Sequence, residues 1–503
     1  MKPPQRRLTR RDFLRAAAAT AGGAIMAACG PKATSAPPQN IAAPPPKPTD
    51  PGPKTIALWA YRNKLQGAWA GEMAGYAWGA PTEFDYQGVI MPDEKVPVWE
   101  PALINRAFRD DNLYCQMPFI DTVNKQGVTA GWVAFGESFR DTTFDLWHAN
   151  LAARDNLQKG IPAPDSGHYS NNPHADDLDW QIESGWVGRM TPGQPQAATD
   201  IAWRAGHVTN YGDGVYGGVF VANLLSAAFF ATGVEQIVEA GRQILPAGSL
   251  YRRIVEDVIF THWTHPDDWT QTWQMLQERW ADQDIHCPDG VGQPFNIDAK
   301  LHGAYVTMAL LYGNGDIEQS MRIAMRAGQD SDCAIHSVGG ILGAMLGLSG
   351  IPQKFVSGLD PKLQFRDSEY TYEDILGVSE RLARVILLIG GGKVSGVGAD
   401  EVWTIPQQTI APPILEQWPA IPDDRPSLTA QAASVQGRTV TFKAAASAAN
   451  GIQDYQWFFG DLAYANGHEA AHTYAEAGTY EVIAYATDKS GNTAWKALTV
   501  EVG

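Results

Sequence analysis

The spacing of apolar residues along the chain changes near residue 427. Between residues 55 and 400, apolar side chains recur three and four positions apart, as in 197–208, 218–233 and 372–392. This spacing places them along one side of a helix, and alternating strand patterns are scarce in the same region. The pattern predicts that residues 55–400 form one mostly α-helical domain.

The last part of the chain, residues 427–503, alternates apolar and polar positions instead. The stretches "RTVTFKAAAS" and "GTYEVIAYATD" show this period of two, with turn residues between them. Such short alternating segments are typical of a small β-sandwich. Two proline-rich segments, residues 29–54 and 401–426, flank the helical domain, and we expect both to be extended linkers.

The first residues have the pattern of an export signal. Arg10 and Arg11 precede a short apolar run that ends at Cys29. A basic start and a short apolar stretch are typical of a signal peptide, and the twin arginine indicates the route that exports folded proteins. The "MAAC" stretch resembles a bacterial lipobox. We therefore predict that residues 1–28 are removed and that Cys29 carries a lipid, which anchors the protein at the outer cell surface or the periplasmic face.

The overall charge indicates which kinds of molecule the protein can bind. The chain of 503 residues is 44% hydrophobic and has a formal net charge of −17. That charge opposes nonspecific binding to nucleic acid or to an anionic membrane, and it favours cation binding. The sequence therefore predicts a globular protein with no nucleic-acid partner.

Two stretches carry glycine at every fourth position. The first has Gly67, Gly71, Gly75 and Gly79, and the second has Gly339, Gly343 and Gly347. On a helix this repeat makes a ridge without side chains, at a cost of about 1 kcal/mol per glycine relative to alanine. We expect the two helices to pack with their backbones in close approach. The alternative is a loose helix that the glycines interrupt.

Acidic residues stand at the ends of these glycine-rich stretches and in one segment between them. They are Glu83, Asp110, Asp111, Asp330 and Asp332. A carboxylate before a helix can cap its free N–H groups. However, close carboxylates repel one another unless they are protonated or bridged by a cation. The spacing leaves both a helix cap and a metal site open for Asp330.

Three motifs together resemble the ADP-ribosylglycohydrolase family, which includes the dinitrogenase reductase-activating glycohydrolases. They are "GAPTEF" at 79–84, "RDDN" at 109–112 and "GQDSDC" at 328–333. The stretch "AGHVTNYGDGVYGGVF" is similar to a family segment in which a histidine precedes a glycine-rich helix start. The order and spacing of these segments agree with those of the family.

This resemblance implies an all-α fold with a magnesium site in a central cleft. It implies that Asp110, Asp111, Asp330 and Asp332 are the metal ligands. Glu83, Asp111 and Asp330 would be the catalytic residues, with Glu83 over the ribose of the substrate. The cofactor would be one or two Mg²⁺ ions, with Mn²⁺ as an alternative, and bound metal would activate a water.

Three positions depart from the family pattern. Arg109 stands where the family has a hydroxyl ligand, Cys333 replaces a threonine, and Tyr76 replaces an acid of many members. A guanidinium cannot bind a metal ion and could occupy part of one ion's site. Whether the site holds one ion or two therefore stays open.

The substrate-binding prediction comprises His207, Gly212, Gly214 and Asp179. By resemblance His207 borders the phosphate side of the substrate, although a structural histidine is an equal alternative. Glycines allow close approach of a backbone to a ligand. Asp179 belongs to an acidic stretch with Asp176, Asp177 and Glu183, and a solvated helix face is the alternative for these four.

The C-terminal β-sandwich resembles a PKD-type module. The matching motifs are 457–461, 472–474, 478–482 and 488–491. This resemblance implies a spacer, or a surface that contacts carbohydrate or protein.

The first hypothesis is an exported metal-dependent glycohydrolase that cleaves an ADP-ribosyl or related ribosyl bond with water. Its substrate would be a small-molecule or protein-linked ribosyl glycoside. One alternative is a carbohydrate or nucleoside glycosidase on the same scaffold. Another is a non-catalytic surface-binding lipoprotein.

Overall fold

The helices and strands follow the change in sequence pattern near residue 427. The computed structural model describes residues 53–281, 295–418, 426–461, 463–489 and 493–503. The predicted signal peptide and the lipidation of Cys29 lie outside these residues. Within the described ranges, no helix has both the length and the apolar character needed to cross a bilayer.

The helical domain is built from α-helices, short 3₁₀ segments and one small sheet. The α-helices are α1 (Leu58–Gly79), α2 (Asp111–Tyr114), α3 (Gln116–Gln126), α4 (Trp132–Arg140), α5 (His148–Gln158), α6 (Asp179–Glu183), α7 (Gly185–Met190), α8 (Pro195–Gly206), α9 (Asp213–Ala228), α10 (Val234–Ile244), α11 (Leu250–Thr264), α12 (Trp269–Arg279), α13 (Ala299–Gly313), α14 (Ile317–Arg326), α15 (Ser331–Leu346), α16 (Gln353–Val356) and α17 (Tyr372–Ile389). The 3₁₀ segments are Ala80–Thr82, Asp93–Lys95, Pro101–Arg109, Leu348–Gly350 and Gly398–Asp400.

The small sheet joins the two ends of the helical domain. Its strands are β1 (Thr55–Ala57), β2 (Lys393–Ser395) and β3 (Val402–Thr404), and the antiparallel order is β1-β3-β2. Trp403 of β3 lies opposite Ile56 and is fully buried. The sheet therefore fixes the start of α1 beside the segment that leaves the domain.

Helices α1 and α15 pack along their glycine ridges. A Cβ added at Gly71 would lie 2.2 Å from the carbonyl oxygen of Gly339, and one at Gly67 would lie 2.3 Å from that of Gly343. At the end of α1, a Cβ on Gly79 would lie 2.6 Å from the Cα of Asp332. The predicted close approach is confirmed, and it places the C-terminal end of α1 against the N-terminal end of α15.

The C-terminal module consists of two antiparallel sheets. Its strands are β4 (Ser427–Gln436), β5 (Thr439–Ser447), β6 (Ile452–Phe458), β7 (Tyr464–Asn466), β8 (Glu469–Thr473), β9 (Gly478–Asp488) and β10 (Thr493–Val502). The sheet orders are β10-β9-β6-β7 and β4-β5-β8. Phe442 of one sheet and Trp457 of the other are fully buried, with ring centroids 5.3 Å apart. The predicted fold class, a helical domain followed by a small β-module, is confirmed.

The β-module packs directly on helix α11. The guanidinium of Arg253 lies 3.9 Å from the centre of the Tyr485 ring and donates a hydrogen bond to the side-chain oxygen of Gln456. The Tyr485 hydroxyl donates a hydrogen bond of 2.9 Å to Glu256. These buried contacts fix the module to the helical domain independently of the linker.

Candidate active site

Two loops that carry predicted site residues are joined by backbone hydrogen bonds. The N–H of Phe84 donates to the Gln329 carbonyl at 2.9 Å, and the N–H of Gln329 donates to the Tyr86 carbonyl at 2.9 Å. Phe84 and Gln329 both have positive φ, 56° and 59°. Non-glycine residues keep this conformation only where surrounding contacts impose it. The result is that the Glu83 loop and the Asp330 loop lie side by side.

The aspartates at the two helix starts act as caps. One oxygen of Asp110 accepts the N–H of Asn112 at 3.1 Å, and one oxygen of Asp330 accepts the N–H of Cys333 at 3.3 Å. Each of these bonds uses only Oδ1. The helix-cap interpretation of Asp330 is therefore confirmed, and the cap hydrogen bond does not use its Oδ2.

The acids meet in a cavity of about 260 Å³. Among the described residues that line it, seven are carboxylates and none is lysine or arginine. The lining comprises Glu83, Phe84, Asp110, Asp111, Trp147, His148, Asn150, Leu178, Asp179, Ile182, Glu183, Ile297, Asp330, Asp332 and Cys333. So many carboxylates cannot all be ionised at close range without a cation to balance them.

This crowding raises the pKa of several of the carboxyl groups. Burial and the negative charge of Asp330 raise the pKa of Asp111 to about 6 and that of Glu83 to about 7. Burial and Asp177 raise the pKa of Asp179 to about 8. Burial and Asp330 also raise the pKa of Asp332 well above its usual value. Near neutral pH the cavity therefore holds part of its carboxyl groups in the protonated form.

The donor set fits a cation. Oδ1 of Asp332 is buried and has no hydrogen-bond partner among the described residues. One potential ligand atom from each of Asp330, Asp332 and Cys333 lies within 4.8 Å of the others. An unpaired buried carboxylate oxygen is costly unless an ion or a proton satisfies it. The cavity could hold a metal ion, and its oxygen atoms suit a hard cation.

The three departures from the family pattern differ in their positions. Arg109 is exposed and is not among the residues that line the cavity, so its guanidinium does not occupy an ion site there. The Tyr76 hydroxyl is hydrogen-bonded to Asp110. The Cys333 thiol donates to the side-chain oxygen of Asn112 at 3.4 Å, and burial raises its pKa. Cys333 is thus a neutral thiol in the cavity wall.

The acidic stretch before and within α6 is buried, so the solvated-face alternative is wrong. Asp176, Asp177, Asp179 and Glu183 are between 0% and 7% exposed. Asp179 lines the cavity and accepts the N–H of Asn150 at 3.1 Å, while Asn150 also donates to Glu183 through its side chain. Asn150 was missed by the sequence analysis, because a lone asparagine in a helix carries no distinguishing signal.

His207, Gly212 and Gly214 lie outside the residues that line the cavity. His207 contacts Glu416 at 3.0 Å, and the N–H of Gly212 donates to the same carboxylate at 2.7 Å. A Cβ on Gly214 would lie 2.3 Å from the Ala175 carbonyl oxygen. Gly212 and Gly214 allow close approach of other parts of the chain, and His207 contacts protein groups. The structure therefore does not bring these three residues of the substrate-binding prediction into the acidic cavity.

Comparisons with known proteins follow the same division of the chain. Residues 59–388 match the family model described as ADP-ribosylglycohydrolase, and residues 423–502 match that of the PKD domain. A solved structure titled "ADP-ribosylglycohydrolase-related protein complex" is similar over 65% of this chain and 100% of its own, with 17% identity and a TM-score of 0.45.

Two solved PKD1 domains are similar to the β-module. That of Vibrio anguillarum Epp has 24% identity and that of Vibrio cholerae metalloprotease PrtV has 26%. Each similarity extends over 16% of this chain, and the TM-score is 0.15 in both cases. It includes 93% of the Vibrio anguillarum domain and 96% of the Vibrio cholerae domain. The match to the ADP-ribosylglycohydrolase family model, over residues 59–388, contains every described residue that lines the acidic cavity.

Proposed function

Because the chain belongs to the ADP-ribosylglycohydrolase family, whose members hydrolyse glycosidic bonds, we propose that it is an exported, metal-dependent glycohydrolase of an ADP-ribosyl or related ribosyl bond. The observation that carries this proposal is the cavity with seven carboxylates and an unpaired buried oxygen on Asp332. A substrate with several hydroxyl groups suits such a site once a cation balances its charge.

Asp110, Asp111, Asp330 and Asp332 are the residues that would hold Mg²⁺. Carboxylate oxygens are the ligands this ion prefers, usually together with water. When bound, the ion supplies charge neutralisation and lowers the pKa of a bound water. Asp110 and Asp330 keep their geometry through the caps they make at α2 and α15.

Glu83 is the proposed proton-transfer group. Burial and the negative charges of Asp330 and Asp111 raise its pKa to about 7 in the metal-free protein, so this carboxyl group holds a proton more readily than a solvated glutamate does. A group with that property can both donate and accept a proton during bond cleavage. Trp147, also in the lining and 52% exposed, presents an aromatic surface against which a sugar or base can stack.

The location and the substrate class rest on the sequence. Arg10, Arg11 and Cys29 support export by the twin-arginine route and a lipid anchor, with the β-module as the contact to carbohydrate or protein. The substrate is a small-molecule or protein-linked ribosyl glycoside. The alternatives are a carbohydrate or nucleoside glycosidase, and a non-catalytic surface-binding lipoprotein.

Calorimetric titration of Mg²⁺ into the chain without its signal peptide tests the metal site. We expect binding to the unmodified protein and a loss of at least about tenfold in affinity for Asp111→Asn and Asp330→Asn, because each removes a charged ligand. Asp141→Asn is the matched control, since Asp141 is exposed and pairs with Arg140. Unchanged binding in Asp330→Asn would show that the site is assigned wrongly.

The reaction is tested with three substrate classes: an ADP-riboside, a nucleoside and a pentoside. We expect release of ADP-ribose from the ADP-riboside in the presence of Mg²⁺, and loss of that release in Glu83→Gln. Cleavage of only the nucleoside or the pentoside would favour the alternative glycosidase. Mg²⁺ binding without cleavage of any of the three would favour the binding protein.

A further inference from the structure

A second group of metal-ligating side chains lies beside the acidic cavity. Nδ1 of His174 is hydrogen-bonded to Oδ2 of Asp177 at 2.8 Å, and Nδ1 of His148 lies 3.8 Å from the same oxygen. One potential ligand atom from each of the three residues lies within 4.8 Å of the others. His148 also lines the acidic cavity, whereas His174 and Asp177 do not.

We propose that His148, His174 and Asp177 form a separate cation site for a borderline transition-metal ion such as Zn²⁺. Zinc bonds of about 2.0–2.2 Å in tetrahedral geometry place neighbouring ligand atoms roughly 3.3 Å apart. The distances of 2.8 Å and 3.8 Å lie on either side of that value. Two imidazoles and one carboxylate favour Zn²⁺ over Mg²⁺, which prefers oxygen ligands.

The backbone around these residues is fixed by one buried amide. The side chain of Asn172 donates to the Ala149 carbonyl at 3.0 Å and to the Thr209 carbonyl at 2.9 Å. Its side-chain oxygen accepts the N–H of His174 at 2.9 Å. Asn172 therefore holds the His174 loop against the start of α5, where His148 lies, before any ion binds.

The conformation of His148 is also imposed. Its φ is +41°, in the left-handed region that residues with a side chain occupy only where their surroundings hold them. Its ring contacts that of His174, with centroids 5.4 Å apart, and that of Phe295, at 6.1 Å. The imidazole is thereby directed toward the Asp177 carboxylate.

The two imidazoles are partly accessible to solvent. The Asp177 side chain is fully buried, whereas those of His148 and His174 are 29% and 25% exposed. Zinc sites with three protein ligands generally bind a water or a substrate atom as the fourth ligand. This site shares no ligand with the four aspartates assigned to Mg²⁺, although His148 also lines the acidic cavity.

Titration with Co²⁺ alone tests the proposal, because Co²⁺ in tetrahedral nitrogen and oxygen coordination absorbs visible light strongly. The sample is the full chain without its signal peptide and without a histidine tag. We expect one Co²⁺ equivalent with this absorption, displaced by one equivalent of Zn²⁺. His174→Ala and the isosteric Asp177→Asn are expected to lose it, with near-ultraviolet circular dichroism to show that the fold is retained.

Two controls separate this site from its neighbours. His168→Ala removes a nearby histidine that pairs with Ser170, and Asp332→Asn alters the acidic cavity. Both are expected to keep the Co²⁺ absorption. The proposal is wrong if the unmodified protein gives no such absorption, if His174→Ala keeps it, or if Asp332→Asn abolishes it.

Discussion

Replacing Gly71 with alanine is expected to destabilise the helical domain by about 2–3 kcal/mol, although alanine is the better helix former. The new Cβ would lie 2.2 Å from the backbone oxygen of Gly339 and 3.3 Å from the Cα of Gly343. A backbone oxygen cannot rotate away as a side chain can. Helices α1 and α15 would therefore have to separate, and the contacts on both sides of the ridge would weaken.

Gly377→Ala is the matched control. Gly377 lies within helix α17, and a Cβ added there meets no atom within 4 Å. Alanine is expected to stabilise the protein at this position by up to about 1 kcal/mol. Urea unfolding of both variants, followed by far-ultraviolet circular dichroism, measures the two effects. Equal shifts in the two midpoints would contradict the packing of backbone on backbone.

Asp332→Asn is expected to stabilise the metal-free protein at pH 8 and to abolish its stabilisation by Mg²⁺. The folded pKa of Asp332 is raised above its unfolded value by burial and by Asp330. A carboxyl group of this kind costs no stability below its unfolded pKa, near 4, and costs more as the pH rises toward its folded pKa. Asparagine does not ionise, so the stability of the variant does not fall with pH through this group.

The pH window follows from the neighbouring groups. The pKa values of Asp111, Glu83 and Asp179 are raised to about 6, 7 and 8. In a chelating buffer the unmodified protein should therefore lose stability between pH 5 and pH 8, and Asp332→Asn should lose less. Mg²⁺ at 100 times its dissociation constant should increase the free energy of unfolding of the unmodified protein by about 2.7 kcal/mol. The same concentration should not stabilise Asp332→Asn.

Thermal unfolding is measured for each protein at pH 5 and at pH 8, once with chelator and once with Mg²⁺. The four unfolding temperatures give its response to pH and to Mg²⁺. Asp141→Asn serves again as the exposed control and should respond to Mg²⁺ like the unmodified protein. If Asp332→Asn responds to pH and to Mg²⁺ as the unmodified protein does, Asp332 is not a ligand and its burial has another explanation.

The glycine pairing could be predicted because its signal is local. A repeat of four residues defines one face of a helix, and only another backbone offsets the cost of several glycines. The position of the acids at the ends of these helices then indicated that Glu83 and Asp330 would meet. The motif resemblance added Asp110 and Asp111, whose loop has no glycine ridge of its own.

Other features depend on partners far away in the chain, and the sequence gives no local sign of them. Asp176 is 1% exposed because Lys300, 124 residues later, pairs with it. His207 is paired with Glu416, 209 residues later, in a segment that composition predicts to be only a linker. A charged residue without its partner in view is expected to lie in solvent, so the burial of Asp176 was not predicted. A structural role for His207 was one of the two alternatives, but its partner Glu416 was not predicted.

The joining of α1 to α15 also determines when the acidic cavity can form during synthesis. Thr82 and Ser331, whose hydroxyls are 2.9 Å apart, are separated by 249 residues. Closing so long a loop is slow, because its entropy is lost before the contact is gained. Helix α1 is therefore translated long before α15, the helix that covers its glycine ridge. The carboxylate cluster cannot be completed until residue 332 has been translated.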